Sequence, residues 1–234
     1  MNVYFLVEGE RTEVEFYDSF IQYYFEGGLT KVEQIQDVEE ANYFILSAQG
    51  YPRVFTSILP RTIQDLNTYQ AYNHLVICVD TDEHDHAHRQ VELEEHLSQY
   101  QKDGIVLHEG CQLHLITQHR CMETWFLGNR KVYKGNPENK TLVEYQQFYN
   151  VSQNDPEYMG VLPRLAKRNI NHAHFHEDYL IKMLRERNML YKKRQPNAVL
   201  TSSYFQELQK RTRDDDLASF QRFLTLYTRF KEQL

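Results

Sequence analysis

The sequence predicts an α/β fold with a parallel sheet, followed by a region made mainly of helices. Three observations support this prediction. Short apolar runs of strand length alternate with segments whose apolar residues recur at helical spacing, the pattern of strand–helix–strand units. Acidic residues directly follow two of the apolar runs. The net charge also changes sign along the chain, so the two parts are expected to contribute different chemistry.

The first 130 residues are expected to hold the sheet. A buried strand at 2–7 precedes a helix at 12–25, in which apolar residues recur every three or four positions. The second helix contains Pro60, which predicts a kink because proline lacks a backbone N–H. Parallel strands joined by helices require right-handed crossovers. The remaining elements are predicted at 43–47 (strand), 53–67 (helix), 74–79 (strand), 87–102 (helix), 113–117 (strand) and 121–127 (short helix).

The sequence pattern of the chain changes near residue 131. Gly135-Asn136-Pro137 is typical of a linker, and the later segments have helical periodicity. We therefore predict one domain over 1–130 and a basic, mainly helical C-terminal region over 131–234. The last helix is expected to begin at 214–216, three aspartates that suit a helix N-terminus. The predicted helices lie at 139–149, 156–168, 178–188, 202–212 and 214–231.

Charge is distributed unevenly between the two regions, although the whole chain has a net charge of -7. Residues 1–129 hold 7 of the 26 Lys and Arg and 21 of the 33 Asp and Glu, a net charge of -14. Residues 130–234 hold the other 19 and 12, a net charge of +7. Acidic clusters attract cations and basic surfaces attract phosphates. This distribution favours a metal-dependent enzyme that acts on nucleic acid, and a chance segregation of charge is the alternative.

Carboxylates follow two of the expected strands. Glu8 follows the strand at 2–7, and Asp80 follows the strand at 74–79. Ligands of parallel sheets bind beyond the carboxyl ends of the strands, so both acids are expected at one edge. Asp82 is expected to point the same way as Asp80 if the pleat continues. Carboxylate oxygens are the ligands that Mg²⁺ prefers, and paired metal ions catalyse phosphodiester cleavage. Glu8, Asp80 and Asp82 are therefore predicted catalytic residues and ligands of Mg²⁺ (or Mn²⁺), with a helix cap or a solvated loop as the alternative.

These two strand ends carry a family resemblance. The run 3–13 resembles the first TOPRIM motif, a hydrophobic strand that ends in Glu-Gly. The run 75–82 resembles the second motif, a strand that ends in Asp-x-Asp. With the stretch 121–127, the chain looks like the RloB-like and OLD-associated small TOPRIM nucleases over about residues 1–130. The resemblance implies a Rossmann-like TOPRIM domain and a nuclease that is the toxic effector of antiphage defence. It also implies a separate ABC/AAA-type ATPase, encoded nearby, as partner.

The resemblance adds candidate residues outside the strand ends. In such relatives an acid recurs ahead of a tryptophan, which Glu123 matches, and a Tyr-Lys or Tyr-x-Lys recurs further on, which Tyr191-Lys192 matches. Glu123 is accordingly predicted as a further metal ligand, and Lys192 as the lysine that steadies the scissile phosphate. Glu13 lies one helical turn behind Glu8 and is expected to complete a second metal site.

Basic clusters with interleaved aromatic residues occur in the second region. Such clusters suit the recognition of single-stranded or looped nucleic acid by charge and stacking. RNA, especially tRNA, and DNA both remain open as the substrate, and a solvated helix face is the alternative for each cluster. The predicted nucleic-acid-binding residues are Arg164, Lys167, Arg168, Lys192, Lys193 and Arg194.

Two other functions stay open. One is a TOPRIM scaffold that binds nucleic acid or an ATPase without chemistry. The other is a phosphohydrolase for a small molecule, because Asp-x-Asp after a strand also begins phosphatase sites, although this leaves Glu8 unexplained. The chain has no Gly-Lys-Ser/Thr phosphate loop, so ATPase activity is expected elsewhere. The alternating histidines at 84–88 and 172–176 are interpreted as exposed loop residues rather than metal ligands.

Cellular location is predicted from three features of the sequence. The three cysteines have no paired spacing, which argues against a disulfide framework and a zinc site. The apolar runs are too short to span a bilayer. The N-terminus has no basic segment or cleavage-like site. We therefore expect a cytoplasmic protein with no membrane association, and a homodimer is left open.

Overall fold

A five-stranded parallel sheet forms the centre of the N-terminal half, as the alternating pattern predicts. The computed structural model describes all 234 residues. In chain order the strands are β1 (Val3–Val7), β2 (Thr30–Lys31), β3 (Asn42–Ser47), β4 (His74–Asp80) and β5 (Gln112–Gln118). Their order across the sheet is β2-β3-β1-β4-β5. All four strands predicted from sequence are present, and the two-residue β2 had no sequence signal.

The strand order changes direction between β1 and β4. From the central β1 the chain passes to β2 and then β3 on one side, and it then crosses to β4 and β5 on the other side. In register, Val7 of β1 lies opposite Ser47 of β3 and Cys78 of β4. Such a switch point leaves a crevice at the carboxyl ends of the two central strands, where open α/β sheets bind their ligands.

Nine α-helices accompany the sheet and fill the second half of the chain. The first has the predicted bounds, and Asn171 caps the seventh by accepting a hydrogen bond from the His174 amide. This cap starts the seventh helix six residues before the predicted position. The helices are α1 (Thr12–Phe25), α2 (Leu59–Tyr69), α3 (His86–Lys102), α4 (Met122–Phe126), α5 (Lys140–Phe148), α6 (Pro163–Ala166), α7 (His172–Arg185), α8 (Ser202–Arg211) and α9 (Ala218–Lys231).

The last helix begins at Ala218 and not at the predicted 214–216, because Asp215 and Leu217 have left-handed backbones. Two further predicted helices are not single regular α-helices. The expected helix at 53–67 is helical from 53 to 69, but Val54–Ile58 forms a π-helical turn that runs directly into α2, so the helix is irregular just before Pro60, which lies in the first turn of α2. Proline is tolerated there because the first turn needs no N–H donor. The expected helix at 156–168 is divided into a 3₁₀ turn, Pro156–Tyr158, and the short α6.

The chain divides into two compact units. Unit 1 consists of residues 1–79, 86–117 and 225–234, and unit 2 consists of residues 80–85 and 118–224. This division does not coincide with the border predicted at residue 130. The Asp80–Asp85 loop and the segment after β5 both belong to unit 2. The chain therefore crosses between the two units four times.

Each unit has its own core. In unit 1, one face of the sheet packs against α2 and α3 through Leu6, Ile63, Ile77 and Leu93, all fully or almost fully buried. In unit 2, the fully buried Trp125 of α4 stacks near Phe220 and Phe223, and its indole N–H donates to the Ser219 hydroxyl at 2.6 Å. Such closely packed aromatic groups are typical of well-ordered interiors. No helix of the structure has the length and apolar composition needed to cross a bilayer.

Candidate active site

In unit 1, the backbone around Glu8 is fixed from both neighbouring strands. The Glu8 amide donates to the Cys78 carbonyl at 2.9 Å, and the Gly50 amide donates to the Glu8 carbonyl at 2.8 Å. The Ser47 hydroxyl donates to the Gly9 carbonyl at 2.8 Å. Because these bonds leave the backbone little freedom, the direction of the Glu8 side chain is set by the sheet. Glu8 itself is half-buried.

Gly9 lies in close contact with the side chain of Glu13. A Cβ added to Gly9 would lie 2.0 Å from Oε2 of Glu13, far inside van der Waals contact. The Glu13 carboxylate, on the first turn of α1, therefore lies directly against the backbone of the Glu-Gly turn. The structure thus brings the Glu13 side chain to the turn that carries Glu8, as the sequence predicts, and a side chain at residue 9 would have to displace the Glu13 carboxylate.

In unit 2, Asp80 and Asp82 do not continue one pleat. Asp80 is the last residue of β4, whereas Asp82 has a left-handed backbone with φ of 51°. The expectation that the two carboxylates share a direction through strand geometry was therefore wrong, because the strand ends between them. The loop is held instead by backbone hydrogen bonds to residues at and after the end of β5. The Thr81 amide donates to the Gln118 carbonyl and the Asp82 amide donates to the Arg120 carbonyl, both at 3.0 Å.

A second acidic group lies deeper in unit 2. The Glu123 carboxylate is only 2% exposed, and its Oε1 accepts a hydrogen bond of 2.8 Å from the hydroxyl of Tyr191. The ammonium of Lys193 lies 3.8 Å from the same Oε1 and 3.6 Å from Oε2 of Glu177. A buried carboxylate is costly unless it has such partners. Glu123 is therefore held by one hydroxyl and one cation, and its Oε2 takes no part in either contact.

Asp80 belongs to the same electrostatic neighbourhood. Burial alone would lower the pKa of Lys193, but the carboxylates of Glu123, Glu177 and Asp80 outweigh it and raise that pKa above its ordinary value. Burial raises the pKa of the Cys121 thiol, and Glu123 and Asp80 raise it further. Lys193 is therefore a protonated cation at neutral pH, and Cys121 is a neutral thiol that is unsuited to nucleophilic chemistry.

The structure brings Lys193, not Lys192, to the acidic residues. Lys192 forms a backbone bridge with Gln195, and its side chain is exposed. Lys193 is 52% exposed, so its ammonium faces both solvent and the buried carboxylates. In a tight turn, neighbouring side chains point in different directions, and sequence spacing does not decide which one points inward. Lys193 is thus the lysine that lies beside these acids, and the role predicted for Lys192 at the scissile phosphate stays a prediction.

The other predicted basic residues lie on the surface of unit 2. Lys167, Arg168 and Arg194 are exposed. Arg164 is bonded to the carboxylate of Glu144 through Nε and Nη2, both at 2.5 Å, which occupies one edge of its guanidinium. Lys167 and Arg168 therefore remain better placed than Arg164 to contact a phosphate backbone.

The two histidine tracts lie largely in helices rather than in loops. His86 and His88 are in the first turn of α3, and the second tract forms the first turn of α7. His176 is fully buried between the Thr124 hydroxyl at 2.8 Å and the Met159 carbonyl at 3.1 Å. Burial lowers its pKa to about 3, so it is a neutral core residue. The interpretation as exposed loop histidines was wrong for His176.

The oxygen ligands of these acids suit a hard divalent cation, but the structure does not gather them into one metal site. Carboxylate oxygens are the ligands that Mg²⁺ takes, usually one or two together with water and substrate phosphates. Among all 234 residues, no group of three or more His, Cys, Asp or Glu side chains is gathered as a metal site. Unit 1 holds Glu8 and Glu13, and unit 2 holds Asp80, Asp82 and Glu123.

Two residues of unit 2 were missed in the sequence. Glu177 lies beside Lys193, but it falls one residue before a helix that the sequence predicts to begin at 178, and no pattern marks it. Arg120 lies two residues beyond β5, at 3.0 Å from the Asp82 carbonyl. The rule that sites follow strand ends, applied to the fourth predicted strand, would have indicated it.

Comparison of the chain with known protein families, with curated proteins and with solved structures found no match.

Proposed function

We propose that this chain is a metal-dependent nuclease of the TOPRIM type that cleaves phosphodiester bonds of RNA, especially tRNA, or of DNA. We further propose that it is the toxic effector of an antiphage defence system and works with a separate ATPase. The resemblance of the Glu-Gly and Asp-x-Asp strand ends to TOPRIM motifs supports this proposal, as does the parallel α/β sheet that carries them.

One observation carries the chemical part of the proposal. Asp80 ends β4, and Glu8 directly follows β1, its neighbour in the sheet and the other strand of the switch point. Two acids at the ends of the two central strands, on a chain whose second half is strongly basic, suit a substrate that is an anionic polymer.

Each group has a defined part in the proposed hydrolysis. Glu8, Asp80 and Asp82, with Glu13 and Glu123, are the carboxylates that would hold Mg²⁺ or Mn²⁺. A bound cation of this kind supplies positive charge to the scissile phosphate and lowers the pKa of a coordinated water. The Glu8 carboxylate would accept the proton of the attacking water as the water oxygen bonds to phosphorus. The P–O bond to the leaving oxygen then breaks, and that oxygen takes up a proton from solvent and leaves as a hydroxyl.

Lys193 supplies a fixed positive charge in this scheme. Its ammonium is held toward the acids of unit 2 by Glu123 and Glu177 while its side chain stays half exposed. It therefore offsets the charge of a bound phosphate without needing to be taken out of water completely. Tyr191 orients Glu123 through its hydroxyl and thereby keeps Lys193 in place.

The test is cleavage of labelled tRNA, other RNA and DNA with Mg²⁺ or Mn²⁺, by the chain alone and together with its ATPase neighbour. We expect cleavage by the wild type, loss of cleavage in Glu8→Gln, and no loss in the matched control Glu10→Gln, whose side chain is exposed. No cleavage in any combination would contradict the proposal, and so would full cleavage by Glu8→Gln.

A non-catalytic binding module is the second candidate. The observation that favours it is that no group of three or more His, Cys, Asp or Glu side chains is placed so that it could hold a metal ion. In that case the wild type would bind nucleic acid or the ATPase with unchanged affinity in Glu8→Gln and Asp80→Asn, and no product would appear at any metal concentration.

A further inference from the structure

Arg120 is bound to the Asp80–Asp82 loop through both its backbone and its side chain. Its amide donates to the Thr81 hydroxyl at 2.8 Å, and its carbonyl accepts from the Asp82 amide at 3.0 Å. Its guanidinium Nη1 donates to the Asp82 carbonyl, also at 3.0 Å. All of these groups belong to unit 2. Three hydrogen bonds thus attach Arg120 to this loop.

The backbones of Asp82 and Arg120 are both left-handed. Their φ angles are 51° and 64°, a conformation that residues with a Cβ rarely adopt. The two residues lie opposite each other and are joined by the bonds just described. Strained non-glycine residues persist where the surroundings impose them, and they cluster at functional sites. A glycine at either position would form the same turn more easily, so the charged side chains have a separate reason to be there.

The guanidinium of Arg120 has more N–H donors than it has hydrogen bonds within the chain. Its bond to the Asp82 carbonyl is the one hydrogen bond that it makes, and its Nε is buried without an acceptor. This bond is to the backbone of Asp82 and not to a carboxylate. Glu83 bonds instead to the His172 imidazole and amide. The guanidinium therefore keeps N–H donors that no group of the chain accepts from, and such donors suit the oxygens of a phosphate.

The residues around Arg120 leave it as a fixed positive charge. Burial lowers the pKa of His119 to about 4 and that of His176 to about 3, and the nearby guanidinium contributes to both shifts. Both imidazoles are therefore neutral at pH 7. An anion that approaches the loop meets a planar cation held by a carbonyl on one side, which is the geometry that favours bidentate binding of phosphate.

We infer that Arg120 is a catalytic residue that binds the non-bridging oxygens of the scissile phosphate. This inference rests on the proposed nuclease function. Arg120 supplies charge that strengthens its contacts as the phosphorus gains a fifth oxygen, while its bond to Asp82 keeps the guanidinium oriented. The role differs from that of Lys193, whose ammonium is held among carboxylates.

The experiment measures both binding and cleavage in Arg120→Gln, Arg120→Lys and the control Arg213→Gln, an exposed arginine elsewhere in unit 2. Glutamine keeps a donor for the Asp82 carbonyl but removes the charge. We expect about a hundredfold loss of kcat or more in Arg120→Gln with KM changed much less, a smaller loss in Arg120→Lys, and wild-type behaviour in Arg213→Gln. We also expect methylguanidinium to restore part of the cleavage by Arg120→Ala.

A binding measurement separates this inference from the proposed function. Nucleic-acid affinity is measured against salt concentration, and loss of one phosphate contact lowers the slope of log K against log salt by about 0.7 to 0.9. If the wild type does not cleave but Arg120→Gln shows this lower slope, the nuclease proposal fails while Arg120 remains a phosphate ligand. Wild-type slope and cleavage in a folded Arg120→Gln would overturn the inference, and so would a lower melting temperature with unchanged kinetics.

Discussion

The turn at Glu8 and the loop at Asp82 follow neighbouring strands but differ in the types of residue that form them. The turn at Glu8 uses Gly9 for close contact, and Gly50, with φ of 102°, for the chain reversal that reaches the Glu8 carbonyl. The loop in unit 2 places the charged residues Asp82 and Arg120 in left-handed conformations instead. The first turn has glycine at the position of closest contact and at Gly50, although its Gln49 also has a left-handed backbone with φ of 60°, whereas the second loop carries charged side chains at its left-handed positions.

The largest effect that sharpens this comparison is expected at Lys193. Replacing it with methionine removes the cation beside Glu123 and Glu177, so we expect about a hundredfold loss of kcat. Lys192→Met should lose less, about tenfold or below, because Lys192 is exposed and the ion pairs with Glu123 and Glu177 are made by Lys193. Steady-state cleavage rates check both, with the exposed Lys102→Met as control. A larger loss in Lys192→Met than in Lys193→Met would contradict this expectation.

The next effect concerns His176, behind the loop in unit 2. Its pKa is lowered by burial from 6.5 to about 3 in the folded protein. Between these values the unfolded chain binds a proton that the folded chain does not, so stability is fully present above pH 6.5 and is lost as pH falls toward 3. The expected loss is on the order of 1 to 3 kcal/mol, measured by urea unfolding at pH 7 and pH 4. His176→Gln should show a smaller difference between the two pH values, and equal differences would refute the assignment.

A smaller effect is expected at Gly50 in unit 1. Alanine at this position must take a left-handed backbone, which costs about 1 to 2 kcal/mol. The unfolding free energy of Gly50→Ala should fall by that amount. Gly135→Ala is the matched control, because Gly135 has no positive φ and no atom near its Cβ position. If the two alanine variants were equally stable, the turn would not depend on its glycine.

The smallest effect is expected at Asp82, and it has the opposite sign. Asp82→Gly relieves a left-handed cost of about 1 to 2 kcal/mol and adds a glycine entropy cost of about 0.5 to 1 kcal/mol. We therefore expect the unfolding free energy to rise by up to about 1 kcal/mol while cleavage is lost. Urea unfolding and a cleavage assay of the same sample check this. A clear loss of stability would mean that the loop depends on the Asp82 side chain and not on its backbone.

The sequence predicts the central strands and their acids well, for a physical reason. Short apolar runs between turn residues suit buried parallel strands, so β1 and β4 are evident, and Glu8 and Asp80 follow directly. The conformation of Asp82, the direction of Lys193 and the proximity of Glu177 depend on segments that are distant in sequence. The division into units escapes prediction for the same reason, because residues 80–85 join a second half that begins at 118.

The central claim is that Asp80 takes part in metal-dependent cleavage of nucleic acid. The most direct measurement is single-turnover cleavage of tRNA and of DNA across a Mn²⁺ titration, by the wild type and by Asp80→Asn, with the ATPase partner present. The account predicts metal-dependent product with the wild type and a rate at least about a thousandfold lower with folded Asp80→Asn. Equal rates for the two proteins, or no product with either one, would contradict it.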